Sequence, residues 1–188
     1  MSIPGVDEPR GRLTYADYVS LPDDGRRYQL VEGELVVMAS PNTRHQLVVG
    51  EIYYRLRQHV DHLRLGRVMV SPLDVVLDDH NVLQPDVIFV SDARAGIVVP
   101  KNLQGAPDLC VEVLSPGTER IDRVRKLGLY ARFGVPHYWI VDLEARTVEE
   151  YLLERDVYRV RSVTALDEEF RPALFPSWSL AIATVLPA

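Results

Sequence analysis

The sequence predicts an α/β fold in which a mixed β-sheet is flanked by helices. Residues 108–144 have the order strand, helix, strand, which favours parallel pairing of the two strands with the helix covering the sheet. Apolar residues between 42 and 62 recur near the helical period, whereas 84–91 is a short apolar run typical of a buried strand. Together these patterns indicate helices packed against a sheet.

Each expected element has a local signal. Asn42 or Thr43 can cap a helix, and the permissive backbone of glycine makes Glu32-Gly33 a hairpin turn. Ser71-Pro72 should bend a strand, and Gly134 should end a helix. The expected elements are a helix over 15–20, a hairpin over 27–39, a helix from 42 or 43 to about 62, strands over 67–79, 84–91 and 108–115, a helix over 118–132, a strand over 137–144 and a hairpin over 147–163.

The composition is that of a single globular domain. The 188 residues are 47% hydrophobic and no linker divides them, so we expect one domain over 1–188 with its motifs in 12–145 and a hairpin and tail in 146–188. The net charge of −6 argues against binding nucleic acid by overall electrostatics but permits a local basic surface. The chain shows no signal sequence and no apolar run long enough to span a membrane, which predicts a cytoplasmic protein without membrane contact.

Three acidic residues interrupt apolar strands. Glu112 stands in the middle of CVEVL, Asp86 follows Pro85, and Glu32 lies in QLVEGEL. A buried carboxylate must be paired, protonated or bound to a metal. Each has a structural alternative, because Glu32 can be an exposed hairpin residue, Asp86 a turn residue, and Glu112 the buried partner of an arginine.

Lys126 is the candidate cation for such a site. It is one of only two lysines among 21 basic residues, and it shares a helix face with Asp122 and Tyr130 through i,i+4 spacing. An ammonium is better suited than a guanidinium to positioning or activating water. The alternative is a surface ion pair between Asp122 and Lys126.

Carboxylates on neighbouring strands form a hard oxygen site. Asp86 and Glu112, brought together by strand pairing, would suit Mg²⁺ or Mn²⁺. Such an ion polarises a phosphodiester and generates hydroxide from bound water. The pattern therefore indicates metal-dependent phosphoester hydrolysis.

Four motifs in order resemble a known family. QPDVIFV (84–90), CVEVLSP (110–116) and DRVRKLGLYARFGVPHYWIVD (122–142) follow YQLVEGELVVMASPNTRHQLVVGEI (28–52). Together they resemble the Uma-type restriction endonuclease family of the PD-(D/E)XK, or restriction-endonuclease-like, superfamily. The resemblance covers about residues 12–145 and implies a restriction-endonuclease-like core.

The resemblance implies roles for individual residues. Asp86 and Glu112 would be the metal ligands, and Glu32 the early acidic residue that completes the pocket. Leu114 stands where the superfamily usually has a lysine, and Lys126 in the following helix would replace it. His45 matches the family's histidine and would contact substrate or orient Glu32, unless it is merely an exposed or hydrogen-bonded side chain.

Arginines could supply a phosphate-binding cleft. Arg123 lies on the helix of Lys126 with several other arginines, so it is the candidate substrate contact, although a solvated surface is the equal alternative.

The leading hypothesis is a Mg²⁺- or Mn²⁺-dependent nuclease that hydrolyses DNA, and a homodimer is expected by resemblance. The first alternative is a catalytically inactive module that binds nucleic acid or a protein. The second is a metal-dependent hydrolase of other phosphoesters.

Overall fold

The computed structural model describes residues 11–115, 117, 119–165 and 167–181, so the expected helix start at Thr118 lies outside the described residues. Between α2 and the C-terminal hairpin it contains two further helical segments, a 3₁₀ helix Asp92–Ile97 and a π-helical segment Ile121–Lys126. The other elements are α1 (Tyr15–Val19), β1 (Arg27–Val31), β2 (Glu34–Met38), α2 (Thr43–Leu63), β3 (Gly66–Val70), β4 (Val75–Asp78), β5 (Asn81–Leu83), β6 (Val87–Ser91), β7 (Leu103–Gln104), β8 (Leu109–Val113), α3 (Leu127–Arg132), β9 (His137–Asp142), β10 (Thr147–Glu154) and β11 (Val157–Ala165).

The strands form two sheets. The larger has the order β11-β10-β9-β8-β6-β3, and the smaller has the order β2-β1-β5-β4-β7. In the larger sheet β8 and β9 are parallel, as the strand–helix–strand pattern predicts, and β6 pairs antiparallel with β8. The predicted α/β class, with mixed sheets and flanking helices, is confirmed.

The division into two sheets follows from the break at Ser71-Pro72. The sequence predicts one bent strand over 67–79, whereas the structure has β3 in the larger sheet and β4 in the smaller one. Proline has no N–H to donate to a strand ladder, so pairing stops there and the chain can change sheets.

Both faces of β8 are covered, which explains its apolar run. Leu109, Val111 and Val113 pack in a core cluster with the buried side of α2, together with Trp139 of β9. Cys110 points to the opposite face, where it packs in a second cluster with residues of α3. Residues of even number on β8, including Glu112, therefore face the π-helical segment and α3.

Local details differ from the sequence predictions at two places. Residues 92–107, which lie between two expected strands and outside every expected element, contain the 3₁₀ helix and β7, which pairs parallel with β4. The helix before Gly134 is π-helical over Ile121–Lys126, between the α-helical residues 119–120 and the α-helix that begins at Leu127. No helix in the described ranges is both long enough and apolar enough to cross a membrane.

Candidate active site

Strand pairing places Asp86 opposite Glu112. Val87 of β6 pairs with Val111 of β8, so the antiparallel register sets the preceding residue, Asp86, beside the following one, Glu112. The backbone N–H of Val113 donates to Asp86 Oδ2 at 2.8 Å, which closes the end of the ladder with a side chain. Both carboxylates line the same pocket.

Glu112 is buried, with 3% of its surface exposed, and two donors contact one of its oxygens. Lys126 Nζ and the hydroxyl of Tyr130 each donate to Oε1 at 2.9 Å. In the described part of the chain no hydrogen bond reaches Glu112 Oε2 or Asp86 Oδ1. The partner of the strand acid is therefore a lysine, not an arginine, and one oxygen of each carboxylate is left for another ligand.

The ammonium of Lys126 is shared between two carboxylates. Its Nζ lies 2.9 Å from Asp122 Oδ1 as well as from Glu112, and the lysine and Asp122 are each only 1% exposed. The expected i,i+4 pair thus exists, but it is buried rather than on the surface. The hydroxyl of Tyr138 donates to the backbone carbonyl of Asp122 at 3.1 Å and anchors the π-helical segment to β9. π-Helical turns occur often at functional sites.

Burial and charge set the protonation of this cluster. Burial alone would lower the pKa of Lys126, but the negative charges of Glu112 and Asp122 outweigh it and raise the pKa above its ordinary value. Burial raises the pKa of Glu112, and the nearby ammonium opposes that effect. The pKa of Tyr130 is raised by burial and by the charge of Glu112, so its hydroxyl keeps its proton and donates. The raised pKa favours the charged form of Lys126 at neutral pH.

His45 begins the first turn of α2 and contacts Asp86. Asn42 caps the helix by accepting a hydrogen bond from the His45 backbone N–H at 2.8 Å, which holds the residue at the pocket. Its Nε2 lies 3.2 Å from Asp86 Oδ2, and the side chain is 8% exposed. Burial lowers the pKa of His45, but the hydrogen bond and charge of Asp86 outweigh it and raise the pKa overall.

Gln29 of β1 faces the same pocket. It is 1% exposed, and its Oε1 is a buried acceptor without a hydrogen-bond partner in the described part of the chain. A buried acceptor without a donor is costly, so the site suits a water molecule or another donor at this oxygen.

Glu32, expected in the pocket, does not line it. It occupies the hairpin turn with a φ of 55° and is followed by Gly33 at 81°, so both turn residues are left-handed. This turn directs the side chain outward, where it is 51% exposed and lies 3.3 Å from Arg125 Nη2. The structure therefore places Glu32 outside the pocket lining, and its expected role in completing the pocket stays a prediction. Gln29, three residues earlier, occupies the pocket from the same hairpin.

Arg123, the expected substrate contact, also lies outside the pocket lining. Its guanidinium donates to Asp142 at 2.6 Å and to Glu149 at 2.7 Å, and it lies 3.3 Å from Glu119. Three carboxylates neutralise the arginine, and it joins the helical segment to β9 and β10. This ion-pair network accounts for the position of Arg123, and its expected role as a substrate contact stays a prediction.

Sequence reasoning did not assign Gln29 or Arg27 to the site. The signal for Gln29 was available, because RYQLV places a polar residue between apolar ones just as CVEVL does around Glu112. Arg27 had no such signal, since an arginine at the start of a strand is ordinary. Its place in the pocket depends on how the smaller sheet lies over the larger one.

The chain matches a known protein family over most of its length. The family model Uma2, described as "Putative restriction endonuclease", matches residues 15–183, which is most of the chain. The chain belongs to this family. No curated protein matches it.

A solved structure shares the fold of this Uma2-family protein. It is described as the crystal structure of "a putative nuclease belonging to DUF820" from Anabaena variabilis ATCC 29413. The two chains superpose with a TM-score of 0.76 at 20% sequence identity, over 92% of this chain and 97% of the other.

The donor atoms of the Uma2-family site fit a hard divalent cation. Asp86 and Glu112 supply carboxylate oxygens to the same pocket. Mg²⁺ is commonly held by one or two carboxylates, while water and substrate phosphate complete its shell. The described residues include no group of three or more His, Cys, Asp or Glu side chains arranged to hold a metal ion. The fit is therefore to an ion shared with water and substrate, not to a closed protein cage.

Proposed function

We propose that this protein is a divalent-metal-dependent nuclease that hydrolyses phosphodiester bonds in DNA. One observation carries the proposal: carboxylates from two paired strands, Asp86 and Glu112, share a pocket with a buried ammonium 2.9 Å from Glu112. Membership of the family described as "Putative restriction endonuclease" supports the substrate class.

Charge balance at the pocket favours a cation. Three carboxylates line it, those of Asp86, Glu112 and Asp122, while the one fully buried cation, Lys126, is shared by two of them. Unpaired negative charge in a poorly solvated pocket is costly, and a divalent ion between Asp86 and Glu112 would offset it. Mg²⁺ or Mn²⁺ bound there would polarise the phosphate and lower the pKa of a water molecule.

The protein's own side chains would orient the two carboxylates and offset negative charge on the phosphate. Lys126 and Tyr130 fix Oε1 of Glu112, so that its other oxygen has a defined direction. The raised pKa of Lys126 keeps its charge, which would offset negative charge developing on the phosphate. His45 and the Val113 N–H hold Asp86 in the same way.

Gln29 is the candidate for orienting the attacking water. Its unpartnered Oε1 can accept a hydrogen bond from that water but cannot remove a proton. Leu114 stands where the superfamily usually has a lysine. Lys126 would take over the role of that lysine, because it approaches Glu112 through space from the following helix.

Cleavage assays test the proposal. Purified protein with Mg²⁺ or Mn²⁺ is expected to nick plasmid DNA or cut a labelled oligonucleotide, and Asp86→Asn should reduce the rate at least about 100-fold, as loss of a catalytic ligand commonly does. Asp92→Asn, which changes an exposed aspartate on the 3₁₀ helix, is the matched control and should keep wild-type activity.

If wild type and Asp86→Asn are equally inactive with every metal tested, the proposal that the protein is a nuclease is contradicted. If DNA binding persists without cleavage, the protein is the binding module that competes with this proposal. Cleavage of small phosphoesters but not of DNA would instead indicate a different hydrolase at the same site.

Cytoplasmic location and dimerisation stay predictions.

A further inference from the structure

Arg27 differs from the arginines of the neighbouring helical segment. Arg123 and Arg125 are tied to carboxylates of the protein, the first to Asp142 and Glu149 and the second to Glu32 and Glu34. Among the described residues Arg27 forms no ion pair, and its one side-chain hydrogen bond runs from Nη2 to the backbone carbonyl of Ala39 at 3.3 Å. Among the described residues, no carboxylate therefore neutralises the charge of Arg27.

The position of Arg27 is defined by β1. Arg27 and Gln29 are two residues apart on an extended strand, so their side chains lie on one face. Both line the pocket that contains Asp86 and Glu112. Arg27 is partly exposed and Gln29 is buried, which places the arginine nearer the solvent side of the pocket and the glutamine deeper.

A polyanionic substrate needs a cation at this pocket. The chain carries a net charge of −6, and three carboxylates line the pocket, so a nucleic-acid strand would be repelled without local compensation. Lys126 is 1% exposed and paired with two carboxylates, and the His45 imidazole is paired with Asp86. Arg27 is the lining cation whose charge is still available.

We propose that Arg27 is a phosphate-binding residue, contacting a backbone phosphate of the nucleic-acid strand that enters the pocket. The planar guanidinium presents paired N–H donors that match phosphate oxygens. The inference rests on the proposed function, and it assigns to Arg27 the substrate contact that the sequence suggested for Arg123. Because the contact is to the backbone, it adds affinity without selecting a base sequence.

Binding measurements at several salt concentrations test this role. A fluorescein-labelled single-stranded oligonucleotide of 20 nucleotides and its duplex are titrated with full-length protein in EDTA, which prevents cleavage, and anisotropy is recorded. Arg27→Ala should weaken binding about tenfold or more, the effect of one lost hydrogen bond to a charged group. The slope of log K against log salt should become shallower by about 0.7 for the single strand or about 0.9 for the duplex.

Arg26→Ala is the matched control. Arg26 is the adjacent residue, its side chain is 55% exposed, and it lies 3.7 Å from Asp24 rather than in the pocket. This variant should bind within about twofold of wild type, as expected for an exposed surface pair. Arg27→Lys should keep the wild-type salt slope, since the charge remains, while losing part of the affinity that depends on the guanidinium's paired donors.

The outcomes separate the inference from the proposed function. If wild type binds and cleaves DNA but Arg27→Ala and Arg26→Ala bind alike with the same salt slope, the role of Arg27 is overturned and the nuclease proposal stands. If wild type neither binds nor cleaves nucleic acid, both are overturned. Weaker binding of Arg27→Ala with an unchanged salt slope also overturns the inference, because it would show an indirect structural effect.

Discussion

At residue 112 a carboxylate lies inside a strand whose neighbours are apolar on both faces. The structure accounts for it through an ammonium and a phenol that both reach Oε1 from the following helical segment. Such a cluster is a costly way to stabilise a core, because desolvation of the charges offsets most of their attraction. The arrangement is better explained by a requirement for a defined carboxylate at the pocket than by stability.

Removing the ammonium alone should nevertheless destabilise the fold, because it leaves buried carboxylates without a cation. Lys126→Met leaves Glu112 and Asp122 buried without their shared cation, and we expect the free energy of unfolding to fall by about 3–5 kcal/mol in urea titrations at neutral pH.

The other lysine provides the control. Lys101→Met alters an exposed side chain in the loop before β7 and should change the free energy of unfolding by less than about 0.5 kcal/mol. Equal stability of the two variants would show that the buried ammonium does not hold the cluster together.

At the scale of elements, the site depends on how β9 and β10 are joined to the helical segment. Asp142 ends β9 and accepts hydrogen bonds from the backbone N–H groups of Glu144 at 3.0 Å and Ala145 at 2.8 Å, which shape the turn into β10. It also accepts from Arg123, which extends from the π-helical segment beside Lys126. A turn and an ion-pair network thus fix the segment that carries the ammonium.

This junction should contribute to stability in a pH-dependent way. Burial alone would raise the pKa of Asp142, but the hydrogen bonds from Ala145, Arg123 and Glu144 outweigh it and lower the pKa below its ordinary value of 3.8. A carboxyl whose pKa is lower in the folded state stabilises the protein above the unfolded-state pKa, and this contribution is lost as the pH falls through the folded-state pKa.

We therefore expect Asp142→Asn to be less stable than wild type near pH 7, with the difference shrinking toward about pH 3 as the wild-type carboxyl takes up a proton. Urea unfolding at a series of pH values measures both proteins. Asp156→Asn, in the exposed turn between β10 and β11, is the control and should stay close to wild type throughout. A stability difference that is constant from pH 7 to pH 3 would show that the charge of Asp142 is not what stabilises the junction.

At the scale of the whole molecule, the pocket lies where the two sheets meet. The larger sheet supplies Glu112 and, next to β6, Asp86, while the smaller sheet supplies Arg27 and Gln29. The helix α2 adds His45, and the π-helical segment adds Lys126. A ligand held there would contact both sheets, α2 and the π-helical segment, so binding should stabilise the fold.

Metal binding should accordingly raise the melting temperature. Mn²⁺ at about 100 times its dissociation constant would stabilise the folded state by about 2.7 kcal/mol, because the unfolded chain has no assembled site. Thermal unfolding with and without Mn²⁺ should show this shift for wild type and for Asp92→Asn, and it should be lost in Glu112→Gln. A shift of equal size in Glu112→Gln would place the ion elsewhere.

Local patterns in the sequence determined the order of the elements, the Glu32-Gly33 turn, the strand acid Glu112 and the i,i+4 relation of Asp122, Lys126 and Tyr130. These features depend on residues close together along the chain, so short-range propensity and periodicity are sufficient to predict them. Asp86 also followed from the strand pattern, and the resemblance of four ordered motifs added His45 to the candidate site.

Only the tertiary structure decided which polar side chains reach the pocket. Arg123 pairs with Glu149, 26 residues away, and Arg125 with Glu32, 93 residues away. Arg27 meets no carboxylate among the described residues, and Gln29 rather than Glu32 lines the pocket. The separation of β3 from β4 into two sheets is likewise a matter of long-range pairing. The sequence determines the charge and shape of a side chain, but the residues that folding brings near determine its partners. The strength of an electrostatic pair depends on the distance between the two charges.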